Sequence, residues 1–289
     1  MKVTGFTFIR NAIKFDYPIV EAITSILPIC DEFVVAVGNS DDDTRLLIEN
    51  IGSNKIRIID TTWDDTLREG GRVLAVETDK AFDAISDDTD WAFYIQGDEV
   101  VHEQYLPKIR KSMEQWKDNP QVEGLVFNYL HFYGSYDFIG DSRRWYRREV
   151  RIIRNNKKIR SYRDAQGFRL DGRKLKVKKI EAFVYHYGWV KPPAKQQLKQ
   201  YHFNQYWGNE KWEKDNETIS EPFDYSQTDS VAWFKGTHPK VLQERIKMMN
   251  WEFDIDPTRK KFSPTYRFLH WVEEKTGWRI GEYRNYKII

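Results

Sequence analysis

The first half of the chain alternates short β-rich runs with stretches of helical periodicity, and this alternation limits the possible folds more than any other feature. Apolar stripes of helical spacing separate the runs, as at Ile19, Ile23 and Ile26. Parallel strands need crossover connections, which are usually helices. The pattern therefore predicts an α/β fold with a mainly parallel sheet flanked by helices. The predicted strands are residues 3–9, 33–37, 55–59, 91–95 and 125–130.

Two of the predicted helices have recognisable ends. Asp16 is a candidate N-cap for a helix beginning near Ile19, and Pro18 suits its first turn because a missing N–H costs little there. Gly52 is expected to end a short helix over residues 46–51. Two more helices are predicted over residues 74–85 and 106–116.

The second half of the chain changes character after Pro192-Pro193. It becomes rich in Trp, Lys and Gln, with helical spacing around residues 194–205, 241–251 and 266–271. We therefore predict a ligand-binding α/β domain over residues 1–190 and an aromatic-rich, mostly helical C-terminal extension over residues 191–289. The tryptophans of this extension include Trp207, Trp212, Trp233, Trp251, Trp271 and Trp278.

Composition excludes several classes of protein. Hydrophobic residues make up 40% of the chain and aromatic residues 15%, which is enough to bury a core. A single cysteine, Cys30, excludes a disulfide framework and a cysteine-based zinc site. No secretory signal precedes the first predicted strand, and no apolar run approaches the roughly 20 residues that span a bilayer. The sequence thus predicts a soluble, cytoplasmic protein.

Residues 143–179 form a strongly basic block. The block holds 16 lysines and arginines against three acids, Glu149, Asp164 and Asp171, although the net charge of the chain is only +2. Such a block attracts anionic partners. The open candidates are a nucleotide diphosphate, a phosphorylated substrate, an anionic membrane surface and nucleic acid. A solvated cationic face without any ligand is the alternative.

The tetrapeptide Gln96-Gly97-Asp98-Glu99 follows the fourth predicted strand. Ligands of parallel α/β sheets bind beyond the carboxyl ends of the strands. Two adjacent carboxylates offer the oxygen ligands that hard divalent cations prefer, and Gly97 lets the backbone approach a ligand closely. Asp98 and Glu99 are therefore candidate metal ligands, with Gln96 and Gly97 beside the bound molecule. A loop with two solvated acids is the equally weighted alternative.

Polar turns also follow the first two strands. Arg10 and Asn11 come directly after the first strand. Gly38, Asn39 and Asp41 follow the second, in a flexible turn that can hydrogen-bond a ribose or a base. Residues 41–44 are also good N-cap candidates, so part of this turn is expected to cap the next helix.

A small-residue, cationic segment precedes the third predicted helix. Arg68, Gly70, Gly71 and Arg72 lie where a helix N-terminus can face a phosphate. The chain has no GxGxxG after the first strand, no P-loop, no GxSxG and no HExxH. The sequence thus disfavours NAD-dependent enzymes, NTPases and the common hydrolases.

His186 is the histidine with the most suggestive position. It follows the apolar run Phe183-Val184-Tyr185 and precedes Gly188, so it lies near the end of another strand. An imidazole there can complete a metal site begun by Asp98. A buried, hydrogen-bonded structural histidine is an equally good interpretation.

Taken in order, these motifs resemble the family 2 glycosyltransferases, which have the GT-A fold. The resemblance covers about residues 1–190 and rests on the Arg-Asn after strand one, the helix over residues 21–27, the Gly-Asn-Ser-Asp-Asp-Asp-Thr turn and Gln-Gly-Asp-Glu. It implies that Asp98, followed by Glu99, binds the Mg²⁺ or Mn²⁺ of a nucleotide-diphosphate sugar. It also implies that Asp164 lies near the catalytic carboxylate and that His186 reaches the metal or diphosphate. The implied nucleotide-binding residues are Gly38, Asn39, Asp41, Gly71 and Arg72.

Two residues depart from the family pattern. Val37 stands where the family has its base-recognising acid, and Gln96 replaces the first acid of the metal motif. The first hypothesis is an inverting, metal-dependent glycosyltransferase of polysaccharide biosynthesis. Its partners would be a nucleotide sugar and a glycan or glycolipid acceptor. The alternative is a non-catalytic nucleotide-sugar or glycan-binding protein, which the two departures favour.

A third hypothesis, a nucleic-acid binder, rests on the basic block and its aromatic residues and is disfavoured because the rest of the chain is acidic. For the extension, ordinary helix packing is preferred to covering the acceptor cleft or docking on a membrane. Peripheral contact with the inner face of the membrane therefore stays open beside the cytoplasmic location.

Overall fold

A computed structural model of the chain describes residues 1–67, 69–207 and 221–289. Arg68 and Trp212, which the sequence analysis considered, lie outside these ranges. Within them, the helices are α1 (Ile19–Ile26), α2 (Thr44–Glu49), α3 (Arg72–Asp83), α4 (Leu106–Trp116), α5 (Pro193–Gln205), α6 (Gln243–Lys247) and α7 (Pro264–Thr276).

A large mixed β-sheet forms the centre of the molecule, with strand order β13-β7-β6-β8-β4-β1-β2-β3 and with β5, β12 and β14 joined beside this path. A second, three-stranded sheet has the order β11-β10-β9. The strands are β1 (Val3–Ile9), β2 (Glu32–Gly38), β3 (Ile56–Thr61), β4 (Trp91–Tyr94), β5 (Glu99–Val101), β6 (Gly124–Tyr133), β7 (Phe138–Ile139), β8 (Arg148–Arg154), β9 (Ile159–Tyr162), β10 (Gly167–Leu170), β11 (Arg173–Lys174), β12 (Lys176–Trp189), β13 (Ala232–Trp233) and β14 (Lys287–Ile288).

The first four strands are parallel to one another wherever they pair. β1 lies between β2 and β4, and β2 pairs with β3, all in parallel register. Their carboxyl ends therefore meet at one edge of the sheet. The sheet becomes mixed beyond β4, because β8 runs antiparallel to both β4 and β6. The predicted α/β class is confirmed, with the parallel character concentrated in β1–β4.

Helices cover both faces of this sheet. Val35 of β2 belongs to an apolar cluster that includes residues of α1 and α4, whereas Val34 belongs to a second cluster that includes residues of α3. Both valines are fully buried. A strand buried on both faces is expected to be a continuous apolar run, which is why β2 shows no polar alternation in the sequence.

The predicted N-cap of α1 is wrong. Pro18 occupies the cap position without a side-chain cap, whereas Asp16 has φ +53° and accepts a hydrogen bond from Arg245. The chain turns back at Asp16 before the helix begins, so the carboxylate faces the C-terminal extension instead of the first turn of α1.

The C-terminal extension contains the helices α5, α6 and α7, although most of its described residues lie outside them. The middle helix is shorter than the predicted 241–251 and covers only Gln243–Lys247. The last helix is longer than predicted because Ser263 caps its start and Gly277, with φ +69°, ends it. None of the helices in the described ranges combines the length and the apolar character that a membrane crossing requires.

β12 lies between β5 and β6 and brings residues of these two strands together. It runs parallel to β6 and antiparallel to β5. His186 is thereby placed next to Glu99 of β5 on one side and His131 of β6 on the other. The predicted boundary at residue 190 lies directly after this strand and stays a prediction.

Candidate functional site

A cavity of about 250 Å³ opens at the edge of the sheet where β1 and β4 end. Three of the residues predicted for a metal and its ligand face it together, Gln96, Asp98 and His186. Asp164 and Lys199 line it too, although they lie far from Asp98 in the sequence. The remaining lining residues are Phe8, Ile9, Arg10, Phe15, Tyr17, Trp63, Leu74, Gly97, Trp189, Gln200, Phe203 and Tyr206.

Asp98 is the most strongly paired carboxylate in this cavity. Lys199 Nζ lies 3.1 Å from Asp98 Oδ2 and also 3.1 Å from the carbonyl oxygen of Gly188. Burial alone would raise the pKa of Asp98, but the charge and the hydrogen bond of Lys199 outweigh burial and hold that pKa well below its usual range. Asp98 is therefore ionised throughout the physiological pH range.

His186 faces Asp98 across a small gap. Its Nε2 lies 3.7 Å from Asp98 Oδ1, too far for a hydrogen bond. Burial lowers the pKa of His186 despite the nearby carboxylates, so the neutral imidazole is favoured. Gly188 keeps the space beside both groups open, since a Cβ there would lie 2.6 Å from Asp98 Oδ2 and 2.7 Å from His186 Nε2. We call this gap, which is bounded by Asp98 Oδ1 and His186 Nε2, the cradle.

These donors fit a divalent cation that is shared with a phosphate-bearing ligand. Magnesium sites commonly use one or two protein carboxylates and take their other ligands from water and substrate phosphates. Asp98 and His186 supply such a partial set. The described residues include no cluster of three or more His, Cys, Asp and Glu side chains able to hold a metal, so protein groups alone do not complete a coordination shell.

Glu99 does not face the cavity. Its carboxylate is fully buried and pairs in bidentate geometry with Arg151, at 2.8 and 2.9 Å. The Tyr129 hydroxyl and the backbone N–H of Gln96 donate to the same carboxylate. Removing one partner of such a buried pair typically costs about 3–5 kcal/mol. Glu99, predicted as a second ligand, thus holds the turn that carries Asp98 against the sheet.

Gln96 links this buried ion pair to the loop between β9 and β10. Arg151 Nη2 donates to Gln96 Oε1 at 3.4 Å, and Gln96 Nε2 donates to the carbonyl oxygen of Ala165 at 3.4 Å. A carboxylate at position 96 could accept from Arg151 but could not donate to Ala165. The amide thus serves a contact that an acid cannot make.

Asp164 reaches the cavity from that same loop. It is half-buried, and burial raises the pKa of its carboxyl above the ordinary value. Its neighbours Arg163 and Ala165 both have positive φ, at 56° and 61°, a costly conformation for residues with a Cβ. Gly71 makes room for the loop, because a Cβ there would come within 2.7 Å of Asp164 Cβ. Two predicted site residues are in contact here, Gly71 as a close-packed backbone position and Asp164 as the acid that lines the cavity.

A second cavity of about 240 Å³ adjoins the first. It shares Arg10, Phe15 and Tyr206 with the first cavity and adds Asn11 and Asp41. These last two residues are joined by a 2.7 Å hydrogen bond from the backbone N–H of Asp41 to Asn11 Oδ1. Polar side chains from the turns after β1 and β2 therefore continue the first cavity, and their predicted role in binding a nucleoside stays a prediction.

Three other predicted binding residues line neither cavity. Gly38 is covered by the indole of Trp63, whose Nε1 would lie 2.3 Å from a Cβ at that position. Asn39 is exposed, and its Oδ1 accepts from the backbone N–H of Trp63. Arg72 is exposed at the start of α3. Their predicted contacts with the nucleotide stay predictions.

Helix α5 supplies site residues that the sequence analysis missed. Lys199 and Phe203, one turn apart, face the first cavity. A signal was present in the sequence, since Lys191, Lys195 and Lys199 recur every four residues. The Nζ atoms of the first two donate to the backbone carbonyls of residues 15 and 14, respectively, which anchors the start of the helix against the turn after β1.

The basic block lies away from the two cavities described above, and three of its residues, Arg173, Lys174 and Lys176, line another cavity together with Arg284 and Lys287. All of residues 143–179 are described, and none of the lysines or arginines among them lines the two cavities. Arg154 instead donates to the backbone carbonyls of residues 116, 117, 119 and 122. Several of the block's cations form ion pairs within the protein, and the expectation that the block faces an anionic ligand stays a prediction. These pairs include Arg143–Glu273, Arg147–Glu282, Arg151–Glu99, Arg160–Asp83 and Arg173–Glu123.

No family model matches this chain, and no curated protein sequence matches it. Among solved structures it is similar to glucosyl-3-phosphoglycerate synthase from Mycobacterium tuberculosis in complex with Mn²⁺, UDP and phosphoglyceric acid, with 17% identity over 45% of this chain and 43% of that chain and a TM-score of 0.31. It is also similar to S. aureus TarS 1-349 in complex with UDP, with 13% identity over 70% of this chain and 64% of that chain and a TM-score of 0.39. In each case the similarity spans less than two thirds of the other protein's chain.

Proposed function

We propose that this protein is an inverting glycosyltransferase that moves a sugar from a nucleotide-diphosphate donor to an acceptor hydroxyl. The observation that carries the proposal is the convergence of Asp98, His186, Lys199 and Asp164 on one cavity at the carboxyl edge of the parallel strands. This cavity combines a cationic, metal-competent end with a carboxylate that is suited to accept a proton.

The diphosphate would bind at the end that holds Lys199, Asp98 and His186. Lys199 keeps its charge when buried, because Tyr17 and Asp98 raise its pKa against the effect of burial. A divalent cation between the diphosphate, Asp98 and His186 would neutralise the charge that develops on the leaving group. Lys199 lies beside the same position and adds a fixed positive charge to the leaving-group side.

Asp164 would act as the general base. As the acceptor oxygen attacks the anomeric carbon, its proton passes to the Asp164 carboxylate, and the bond from the anomeric carbon to the diphosphate oxygen breaks. Direct attack from the face opposite the leaving group inverts the anomeric centre. The raised pKa of Asp164 makes this carboxylate a stronger base than an exposed aspartate.

The second cavity would receive the nucleoside. Asn11 and Asp41 offer amide and carboxylate groups there, and Arg10 stands at the junction of the two cavities. Val37, at the end of β2, is apolar and buried, so it cannot hydrogen-bond the base in the way that the acid of the resembled family does. The base is therefore expected to be selected by groups after β1 and in the turn that carries Asp41.

The acceptor would be a glycan or a glycolipid, as in surface polysaccharide synthesis by a cytoplasmic enzyme. The extension exposes Phe268, Trp271 and Trp278, and such aromatic side chains suit peripheral contact with a membrane that carries a glycolipid. Co-sedimentation with anionic vesicles at low salt tests this part of the proposal. Failure to co-sediment would favour a water-soluble glycan acceptor.

Calorimetric titration with uridine, guanosine, cytidine and thymidine diphosphate sugars, each with and without Mn²⁺, tests the proposal. Binding of one nucleotide that is strengthened by Mn²⁺ and lost in Asp98→Ala is the expected result. Absence of binding by every member of the panel would refute the donor site. The exposed pair Arg45–Asp60 offers a control, since Asp60→Ala should leave binding unchanged.

A non-catalytic nucleotide-sugar-binding protein is the second candidate. It is favoured by the ion pair in which Lys199 already engages Asp98, and by Gln96 in place of an acid. Tight donor binding without transfer to any acceptor and without slow donor hydrolysis would select this candidate.

A further inference from the structure

Two histidines on adjacent strands share a hydrogen bond directly behind the proposed metal position. His131 Nδ1 lies 3.2 Å from His186 Nδ1, and His131 Nε2 lies 2.8 Å from the carbonyl oxygen of Tyr146. The chain thus runs from a backbone carbonyl through two imidazoles to Nε2 of His186, which faces Asp98. Its members lie in β6, β12 and the segment before β8.

The direction of the protons along this chain follows from what each atom can do. A carbonyl oxygen only accepts, so the Nε2 of His131 must carry a proton that it donates to Tyr146. His131 is buried among aromatic rings, and its hydrogen-bond partners are another imidazole and a backbone carbonyl, so no counter-ion among the described residues sits on the ring and the neutral form, which has one N–H, is favoured. Nδ1 of His131 is therefore an acceptor, and His186 must carry its own single proton on Nδ1. Nε2 of His186 is left with a lone pair.

We propose that His131 is a positioning residue that holds His186 in its Nδ1-protonated tautomer, so that the Nε2 lone pair faces the cradle beside Asp98. The proposal rests on the metal site of the proposed function and adds the residue that keeps the Nε2 lone pair of His186 available to a cation. A lone pair on Nε2 can bind a cation, whereas an N–H there cannot. The gap of 3.7 Å to Asp98 Oδ1, with no hydrogen bond across it, is the geometry expected when both facing atoms are acceptors.

The surroundings of His131 prevent its ring from turning. The side chain is buried, stacks on Trp145 with ring centroids 5.1 Å apart, and meets the edge of Tyr146 at 4.4 Å. Tyr129 stacks nearby at 5.5 Å. A flipped ring would lose the hydrogen bond to the Tyr146 carbonyl, and an unpaired buried carbonyl costs free energy. The aromatic cage thus enforces the tautomer of His131 and, through it, that of His186.

Loss of the Nδ1 acceptor should reverse the tautomer of His186. Without His131 its proton can move to Nε2, where Asp98 attracts it across the gap. If the Nε2–H of His186 donated a hydrogen bond to Asp98, neither His186 Nε2 nor the accepting Asp98 oxygen would be free to bind a cation. Groups that orient metal-bound histidines typically contribute about 10–100-fold to metal affinity.

Three variants separate this role from simple packing. His131→Phe keeps an aromatic ring of similar size but removes the acceptor. His131→Asn places an amide oxygen near the position of Nδ1 and should restore acceptance from His186. His102→Phe is the matched control, because His102 is also buried among aromatic rings but bonds Thr237, away from His186.

The first readout is the tautomer of His186 in the metal-free protein, from long-range ¹H–¹⁵N correlation spectra. The second is the affinity for Mn²⁺, measured by electron paramagnetic resonance with the metal alone and with UDP. We expect an Nδ1-protonated His186 in the wild type and an Nε2-protonated one in His131→Phe. We also expect Mn²⁺ affinity at least about tenfold weaker in His131→Phe, and within about threefold of the wild type in His131→Asn and His102→Phe.

An Nε2-protonated His186 in the wild type overturns the proposal. So does a His131→Phe protein that keeps the wild-type tautomer or the wild-type Mn²⁺ affinity. If the wild type binds no Mn²⁺ even with UDP, the proposed metal site fails, while the spectra still decide whether His131 sets the tautomer. If His131→Phe does not fold, the wild-type spectrum and His131→Asn decide the question.

Discussion

Lys199 Nζ, on the first helix of the C-terminal extension, lies 3.1 Å from Asp98 Oδ2 at the carboxyl edge of the sheet. The two residues are 101 positions apart in the sequence, and both side chains are largely buried. Lys199 also contacts the Gly188 carbonyl, so a single ammonium group ties the extension to β12 and to the Asp98 turn. Residues of the extension thus line the cavity together with residues of the α/β domain.

Lys199→Met should weaken donor binding and strengthen binding of the free metal. The ammonium group attracts the diphosphate but competes with a cation for Asp98. We expect nucleotide-diphosphate affinity to fall at least about tenfold in the absence of metal, a loss of about 1.4 kcal/mol. Mn²⁺ affinity without nucleotide should rise. Calorimetry measures both.

Lys195→Met is the control for this prediction, because Lys195 lies one turn away on the same helix and donates to the Lys14 carbonyl instead of to Asp98. Equal nucleotide affinity in Lys199→Met and Lys195→Met would show that Lys199 does not contact the diphosphate.

Gly188→Ala should close the cradle between Asp98 and His186. The added methyl group would lie 2.6 Å from Asp98 Oδ2 and 2.7 Å from His186 Nε2, so at least one of these side chains must shift. We expect Mn²⁺ affinity to fall by about 10-fold or more, the usual effect of misplacing metal ligands. Thermal unfolding of the variant controls for a general loss of structure. Unchanged Mn²⁺ affinity in a folded Gly188→Ala protein would place the cation elsewhere.

Asp164→Asn should retain donor binding but lose transfer. The amide keeps the size of the side chain yet cannot accept the acceptor's proton, and loss of a general base typically costs about 10²–10⁴ in rate. Because burial raises the pKa of Asp164, the acid limb of the wild-type pH–rate profile should lie above the usual range of aspartate. Asp171→Asn, in the exposed turn after β10, should transfer sugar at the wild-type rate. Transfer by Asp164→Asn at that rate would contradict the assignment.

Glu149→Gln should remove a pH-dependent loss of stability. Burial raises the pKa of Glu149 from 4.5 to about 8, despite the opposing charge of Arg151. At pH values between 4.5 and about 8, the folded state therefore binds more protons than the unfolded state. The contribution of Glu149 to the free energy of unfolding decreases as the pH rises through this window. The slope is at most about 1.4 kcal/mol per pH unit.

Urea unfolding of the wild type and of Glu149→Gln between pH 5 and 8 measures this difference. The variant should gain stability relative to the wild type as the pH increases. Glu181→Gln, which alters an exposed carboxyl, is the control. Parallel curves for the wild type and Glu149→Gln would show that Glu149 is ionised in the folded protein.

Local patterns in the sequence were enough to predict the elements of the α/β domain. The apolar spacing of α1 and the β-rich run of β2 depend only on residues near one another, and both were found in the structure within a few positions. The position of Asp98 at the ligand edge also followed, because a parallel sheet brings the carboxyl ends of its strands together. Asp16 was misjudged because a cap depends on the path of the backbone into the helix.

The partners of charged residues could not be predicted in the same way. Glu99 was expected in the metal site because it adjoins Asp98, but Asp98 lies in the turn before β5, whereas Glu99 is the first residue of that strand and its carboxylate pairs with Arg151 of β8. The ion pairs formed by residues of the basic block could not be predicted either. Arg143 and Arg147 pair with acids as distant in sequence as Glu273 and Glu282.

The sequence by itself thus determined the order and type of the elements in the α/β domain and which strand ends carry polar groups, since both depend on interactions between residues close in the chain. Only the tertiary structure decided which of those groups meet. Asp98 faces Lys199 and His186, whereas Glu99 is buried against Arg151. These contacts join segments that are far apart in the sequence, and burial makes each charge depend on its partner. No local pattern records which partner the folded chain supplies.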